Sequence, residues 1–159
     1  MFLDCVLYFA VLGIASFFLG RLLPKSWFRA DCFPYRCYDF EKQLYQKLRV
    51  REWQDKVPDM SRILPMFMPP KRLTKGYQQR LPLMIQETCV AEFIHGTLIL
   101  AGFACLKIWP GIGGEIMTTA YILLGNLPFI IIQRYNRPRL SRLLVKQEER
   151  TFLAEREPA

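Results

Sequence analysis

The sequence QETCVAEFIHG, residues 86–96, contains Glu87, Glu92 and the chain's single histidine, His95. Glu92 and His95 are three positions apart, so a helix places both side chains on one face. A histidine can take a proton from a hydroxyl group, and a carboxylate on its other ring nitrogen fixes the tautomer and stabilises the imidazolium. The spacing therefore suggests His95 as a general base and Glu92 as its orienting carboxylate. Glu87 would assist or pair with an arginine.

The same spacing also fits a non-catalytic role. A buried polar pair on a membrane helix can join that helix to a neighbour by hydrogen bonding. The spacing of Glu92 and His95 by itself does not choose between a catalytic pair and a structural one.

A second polar block, QRYNRPRL at residues 133–140, follows an apolar run. Arg134, Arg137 and Arg139 have the side chain that binds phosphates bidentately, which suggests a site for the anionic part of a substrate. A basic cluster after a membrane helix is more often an anchor at the membrane surface. Asn136, in front of Arg137 and Pro138, is more specific than a simple anchor requires.

Composition indicates a membrane protein with basic margins. Hydrophobic residues make up 52% of the chain, aromatic residues 14%, and the formal charge is +8. Because the basic residues flank apolar runs, they favour anionic lipid headgroups or an anionic substrate over nucleic acid. One histidine and five cysteines without a metal-ligand spacing argue against a metal site, and the cysteines are expected to be free thiols.

The fold class predicted is all-α, with a single membrane domain of about three transmembrane helices. Apolar runs at residues 1–23, 81–109 and 115–133 are long enough to cross a hydrocarbon core of about 30 Å. Basic residues near the ends of these runs predict a multi-pass protein of the cell membrane. The N-terminus is expected outside the cell, and residues 134–159 are expected to form a basic cytoplasmic tail.

Residues 24–80 are predicted to form a cytoplasmic or interfacial segment, since no window in them is apolar enough to span a membrane. Apolar residues recur at helical spacing from Phe40 to Trp53, which predicts an amphipathic interfacial helix. The sequence ILPMFMPP, residues 63–70, is apolar but broken by prolines, so it is expected to act as a lid or plug at the interface.

Several blocks in this order resemble the glycosyl-4,4'-diaponeurosporenoate acyltransferase family, small membrane enzymes of staphyloxanthin-type carotenoid synthesis. The blocks are LPKSWFR, YDFEK, VREWQDKVPD, ETCVAEFIHG and NLPFIIIQRYNRPRL, and they extend from about Leu22 to Leu140. Such an ordered set is more specific than any one motif.

The resemblance implies transfer of a fatty acyl group, from acyl-CoA or a similar activated thioester as co-substrate, to a hydroxyl of a lipid-linked glycosyl acceptor such as a glycosyl carotenoid, without a further cofactor. The polar residues shared with the family are Glu41, Trp53, Glu87, Glu92, His95, Arg134, Asn136, Arg137 and Arg139. In this hypothesis the arginines bind the acyl donor, while Trp53 and the amphipathic segment around Glu41 position the sugar or cap the site.

Two alternatives belong to other classes. One is a non-catalytic membrane subunit or lipid-binding scaffold, in which the polar residues hold helices together and the arginines bind headgroups. The other is a different small lipid transferase, such as a lipid methyltransferase, because a basic Arg-Pro motif after a membrane helix occurs there too.

Overall fold

The computed structural model describes residues 1–57 and 77–156, and its regular secondary structure in these ranges is helical. The α-helices, numbered in chain order, are α1 (Phe2–Leu22), α2 (Asp39–Lys47), α3 (Val50–Trp53), α4 (Leu81–Gly102), α5 (Cys105–Ile108), α6 (Ile112–Ala120) and α7 (Leu127–Arg156). A π-helical turn, Tyr121–Asn126, joins α6 to α7, and short 3-10 turns occupy Lys25–Trp27, Gln54–Lys56 and Tyr77–Arg80. The prediction of an all-α fold is confirmed.

Three helical stretches are long and apolar enough to cross a membrane: Phe2–Leu22, Gln78–Ile108 and Ile112–Leu153. Most of the large side chains on α1 are exposed, as expected for a helix that meets lipid on most sides. The number of membrane-spanning helices agrees with the three apolar runs of the sequence.

The helices α1 and α4 run antiparallel. Near one end of the bundle the Tyr8 hydroxyl donates to the Ala101 carbonyl oxygen at 2.8 Å. Near the other end, Gly20 lies beside Ile94. The helices α4 and α7 are also antiparallel, because Thr88 contacts Arg137 while His95, further along α4, contacts Asn126, which precedes Arg137. The end of α1, the first two thirds of α4 and the first half of α7 therefore come together.

The segment between α1 and α2 packs against this shared end. Phe28 is buried in one cluster with Val90 and Ile94 of α4. Its ring also meets Tyr35 and Phe93, with centroids 5.7 Å apart in both pairs. These aromatic contacts hold the loop between α1 and α2 against α4.

The predicted amphipathic helix from Phe40 to Trp53 is present in two pieces. Arg49 has a φ of 50°, in the left-handed region, and this residue separates α2 from α3. A non-glycine residue in that conformation ends the regular helix, so one continuous helix was the wrong prediction. The ILPMFMPP segment lies outside the described residues, and so do the basic residues Lys71, Arg72 and Lys75.

The third membrane helix differs from its predicted bounds of 115–133. It begins at Ile112, contains the π-helical turn, and continues in α7 to Arg156, through most of the predicted tail. Pro138 lies inside α7. The polar block QRYNRPRL is therefore part of the same helix as the apolar residues before it, and its side chains are held on a helical face.

Candidate functional site

Arg134 on α7 joins three separate parts of the chain. Its Nε and Nη2 donate to the two carboxylate oxygens of Glu41 at 2.9 and 2.7 Å. Its Nη1 donates to Oε1 of Glu92 at 2.6 Å and to the Pro34 carbonyl oxygen at 3.1 Å, and Nη2 also reaches the Arg36 carbonyl oxygen at 3.0 Å. All five N–H donors of a guanidinium group are thus occupied by protein acceptors.

Arg137 lies one helical turn further along and is 1% exposed. Its Nη2 donates to Oε2 of Glu92 at 2.6 Å and to the Thr88 carbonyl oxygen at 3.1 Å, while Nε donates to the Thr88 hydroxyl at 2.8 Å. Nη1 donates to the Tyr35 carbonyl oxygen. Each carboxylate oxygen of Glu92 therefore accepts a hydrogen bond from a different arginine. The single negative charge of Glu92 lies between two cations in the α4–α7 interface and compensates them.

Glu41 has further donors besides Arg134. The Tyr45 hydroxyl donates to its Oε2 at 2.7 Å, and the Tyr38 backbone N–H donates to Oε1 at 3.0 Å in a capping box at the start of α2. Burial alone would raise the pKa of Glu41, but hydrogen bonds from Arg134 and Tyr45 outweigh it and hold that pKa below its usual range. Burial, and next the hydrogen bond to Glu41, raise the pKa of Tyr45.

His95 continues the polar face of α4 beyond Glu92. Its Nδ1 is 3.0 Å from Oδ1 of Asn126, and its ring stacks on Phe129 with centroids 4.6 Å apart. The Nδ2 of Asn126 donates to the Tyr121 carbonyl oxygen at 3.0 Å, which turns Oδ1 toward the histidine. A neutral imidazole facing an amide oxygen carries its proton on Nδ1, and in that tautomer Nε2 is the basic ring nitrogen.

The structure therefore gives His95 a different partner from the one expected. Glu92 was predicted to orient the ring, but its two oxygens bond to Arg134 and Arg137, and Asn126 stands at Nδ1. Because Asn126 is 1% exposed and lies in the π-helical turn, its amide is held firmly. Such turns often occur at functional sites.

The structure brings together the two polar blocks that the sequence singled out. The candidate site is the interface of α4 and α7, with Glu92 bonded to Arg134 and Arg137 and with His95 on the same helix. Glu41 joins it from α2 through Arg134. These four charged residues form a network that we call the arginine–glutamate network: Glu41, Glu92, Arg134 and Arg137.

The remaining predicted residues lie at the margin of this network. The Glu87 side chain forms no hydrogen bond or ion pair with another residue in the ranges 1–57 and 77–156. Asn136 donates to Oε1 of Gln54 at 3.1 Å, and the Trp53 indole N–H donates to the Leu48 carbonyl oxygen at 2.9 Å. Arg139 lies over the Tyr135 ring, 4.2 Å from its centroid.

Beside the network, a cavity of about 660 Å³ lies between α2–α3 and α7. Arg134, Arg139 and Arg142 line it on the α7 side, and Lys42 and Arg51 are on the opposite wall. We call it the basic cavity, and its volume is in the range of small-molecule sites.

Sequence reasoning missed Asn126, Thr88 and Tyr45. Asn126 is the first residue of the block NLPFIIIQRYNRPRL, and the available signal was a polar residue in the middle of an apolar run. Thr88 is seven positions before His95, close to two helical turns, so helical spacing also places it on the same face.

Comparison with known proteins gives two kinds of match. A family model described as glycosyl-4,4'-diaponeurosporenoate acyltransferase matches residues 24–146. A protein of that name from Staphylococcus aureus strain N315 is 30% identical over 146 residues, covering 88% of this chain and 86% of the relative. The corresponding protein of strain USA300 is 31% identical over 143 residues, with the same coverage. No solved structure matches this chain.

Proposed function

The chain belongs to the glycosyl-4,4'-diaponeurosporenoate acyltransferase family, and on that premise we propose that it transfers a fatty acyl group from a thioester to a hydroxyl of a glycosylated lipid. The family makes the chain an acyltransferase. The curated relatives are named for a glycosyl carotenoid, so a glycosyl carotenoid is the proposed acceptor. No cofactor is needed for this reaction beyond the acyl thioester itself.

The observation that carries the mechanism is the contact between His95 and Asn126. With the proton on Nδ1, the Nε2 lone pair takes the proton of the acceptor hydroxyl as its oxygen attacks the thioester carbonyl carbon. The carbon–sulfur bond then breaks, and the imidazolium returns the proton to the leaving thiolate. His95 ends in its starting state, and an ester has replaced a thioester.

In this proposal the arginine–glutamate network positions the helices that carry the base. Glu92 holds α4 against α7 through Arg134 and Arg137, which keeps His95 in register with Asn126. These two arginines would have to give up protein acceptors before they could bind an acyl donor, so we assign them a positioning role. Glu87, near the start of α4, is proposed as a second carboxylate that assists the reaction.

The protein is proposed to be a multi-pass protein of the cell membrane, with its N-terminus outside and the shared helix end in the cytoplasm. The support is the basic residues around that end, among them Arg21, Lys25 and Arg29. Activated acyl thioesters are made in the cytoplasm, so this orientation would give the donor access. Trp53 and Asn136 lie at the same end, where they can cap the acceptor sugar.

Lipid mass spectrometry tests the function. Cells that express the protein, compared with cells that do not, should contain a glycolipid heavier by one acyl group, and the His95→Gln variant should lack it. If wild-type cells supplied with a glycosylated carotenoid show no such species, the proposal is wrong.

The filled donors of Arg134 favour one competing function, a non-catalytic membrane subunit held together by polar contacts. The two functions predict different effects of His95→Gln. In a scaffold, the substitution lowers the melting temperature and the detergent-extracted yield, whereas in an enzyme it removes turnover from a stable protein.

A further inference from the structure

We propose that the basic cavity binds the nucleoside diphosphate end of a coenzyme A thioester, with Arg139 and Arg142 as its phosphate-binding residues. This rests on the proposed function, because it names the acyl donor of the same reaction. The cavity is distinct from the α4–α7 interface that carries His95.

The charges around the cavity are not balanced. Six basic residues line it against three acidic ones, and each acidic residue has a basic partner. Asp39 pairs with Lys42, Glu52 with Arg49, and Glu41 with Arg134. This leaves three lining cations that form no ion pair in the part of the chain that the structure describes: Arg51, Arg139 and Arg142. An excess of this kind attracts a ligand with several negative charges.

Arg139 is arranged to bind such a ligand. Its guanidinium lies over the Tyr135 ring, 4.2 Å from the centroid, so the ring covers one face of the planar guanidinium. The N–H groups point outward in the guanidinium plane, where the ring does not block a ligand. Arg142 is three positions further along α7, on the same helical face. Two guanidinium groups at that spacing can bind neighbouring phosphate groups.

The cavity also has aromatic surfaces that a simple phosphate site does not need. Tyr38, Tyr45 and Tyr135 line it, and the last two form an edge-to-face pair with centroids 6.1 Å apart. Aromatic rings beside cations suit a purine attached to phosphates, because the base can stack while the phosphates are bound. A volume of about 660 Å³ leaves room for both parts.

The position of the cavity suits a donor whose reactive group is far from its charges. Arg139 and Asn126 are 13 positions apart on the helix (139 − 126), which is about 20 Å at 1.5 Å per residue. In coenzyme A an extended pantetheine arm separates the thioester from the pyrophosphate. Arg134 lines the cavity and bonds to Glu92, so the site of the phosphates adjoins the helix that carries His95.

Binding of coenzyme A tests this inference without any turnover. The full chain is reconstituted in nanodiscs of phosphatidylcholine and titrated calorimetrically with coenzyme A and with pantetheine, which lacks the nucleotide. The double variant Arg139→Gln/Arg142→Gln removes the proposed phosphate contacts. The matched control is Lys47→Gln/Lys146→Gln, which loses the same charge at two exposed residues that do not line the cavity.

We expect the dissociation constant of coenzyme A to rise at least about tenfold in the cavity variant and to stay unchanged in the control. Pantetheine should bind weakly to all forms. Equal affinity in both variants, or pantetheine binding as tightly as coenzyme A, would overturn the inference. Melting temperatures of the variants check that each is folded.

A second source of phosphate is a lipid headgroup, and nanodiscs that contain phosphatidylglycerol distinguish it. If this lipid displaces coenzyme A from the wild type, or if only the lipid binds, the cavity is a headgroup site. Binding of an acyl carrier protein, with none of coenzyme A, would likewise contradict the inference.

The inference and the proposed function fail separately. If coenzyme A binds through the two arginines but no acylated glycolipid forms, the cavity is as inferred and the acyl transfer is wrong. If acyl transfer proceeds in the cavity variant with an unchanged KM for the thioester, the transfer stands and the cavity has another use.

Discussion

Arg137 donates from Nη2 to Oε2 of Glu92 at 2.6 Å, and the two side chains are 2% and 13% exposed. The other oxygen of the same carboxylate bonds to Arg134, so a single glutamate on α4 compensates two cations of α7. Buried cations of this kind persist only where an anion and hydrogen bonds compensate them. The two ion pairs of Glu92 therefore fix the position of α4 along α7.

Replacing Glu92 with alanine should therefore destabilise the protein strongly. The substitution leaves Arg137 buried among neutral acceptors, and breaking a buried pair in this way costs about 3–5 kcal/mol. Unfolding in detergent micelles, followed by circular dichroism, measures the loss. As a control, Glu52→Ala removes an exposed carboxylate 3.8 Å from Arg49 and should change stability by less than about 1 kcal/mol. Equal losses in the two variants would contradict a special role for Glu92.

His95→Gln should reduce acyl transfer by about 10²- to 10⁴-fold, the usual contribution of a general base. The melting temperature should change little, since glutamine keeps a polar group beside Asn126. Turnover with a purified glycolipid acceptor gives the measurement. Thr97→Ala, at an exposed position on the same helix, is the control that should keep full activity. Near-normal turnover in His95→Gln would eliminate the base assignment.

Asn126→Asp should move the pH dependence of acyl transfer. An aspartate at this position places a negative charge about 3 Å from Nδ1, which favours the imidazolium over the neutral ring. Because the base must be unprotonated, the rising limb of the pH–rate profile should shift to higher pH. A purely structural Asn126 would lower the rate at every pH without moving the limb.

Much of the fold follows from the sequence, for physical reasons. The three apolar runs are long enough to span a membrane, and length with composition is all that this prediction requires. The break at Arg49 was not predictable, because arginine has no preference for the left-handed conformation that it adopts there. The end of the third helix was also missed, since polar residues after an apolar run are compatible with either a helix or a tail.

The sequence predicted where the candidate site lies better than it predicted which residues bond to each other there. Helical spacing placed Glu92 and His95 on one face, and the resemblance joined that face to the arginine block. Which hydrogen-bond partners form depends on distances between helices that are 31 to 93 residues apart in sequence, as for His95 with Asn126 and Arg134 with Glu41. Spacing along one helix carries no information about such contacts.

The stability of the folded protein should decrease at low pH because of Glu41. Its pKa in the folded protein lies below the ordinary 4.5, so the carboxylate stabilises the fold above that pH. The contribution is lost as the pH falls from 4.5 through the lower folded value. The difference in stability between wild type and Glu41→Gln should therefore be largest above pH 4.5 and shrink on acidification. Chemical unfolding at several pH values measures it, and a constant difference would contradict the ion pair with Arg134.

Gly102 and Gly96 offer a matched test of packing between α4 and the π-helical turn. A Cβ atom at Gly102 would lie 2.9 Å from Cδ1 of Tyr121, whereas one at Gly96 has nothing within 4 Å. The Tyr121 ring cannot easily move away, because it stacks on Phe9 with centroids 4.0 Å apart.

Gly102→Ala should therefore cost about 1–3 kcal/mol, as overpacking does elsewhere, while Gly96→Ala should be neutral or stabilising by up to about 1 kcal/mol. Thermal unfolding of both variants in the same detergent provides the comparison. Tyr121 also offers the carbonyl oxygen that holds Asn126, so a displaced turn should lower acyl transfer in Gly102→Ala as well. A Gly102→Ala variant as stable and active as Gly96→Ala would show that α4 and the turn are not packed this closely.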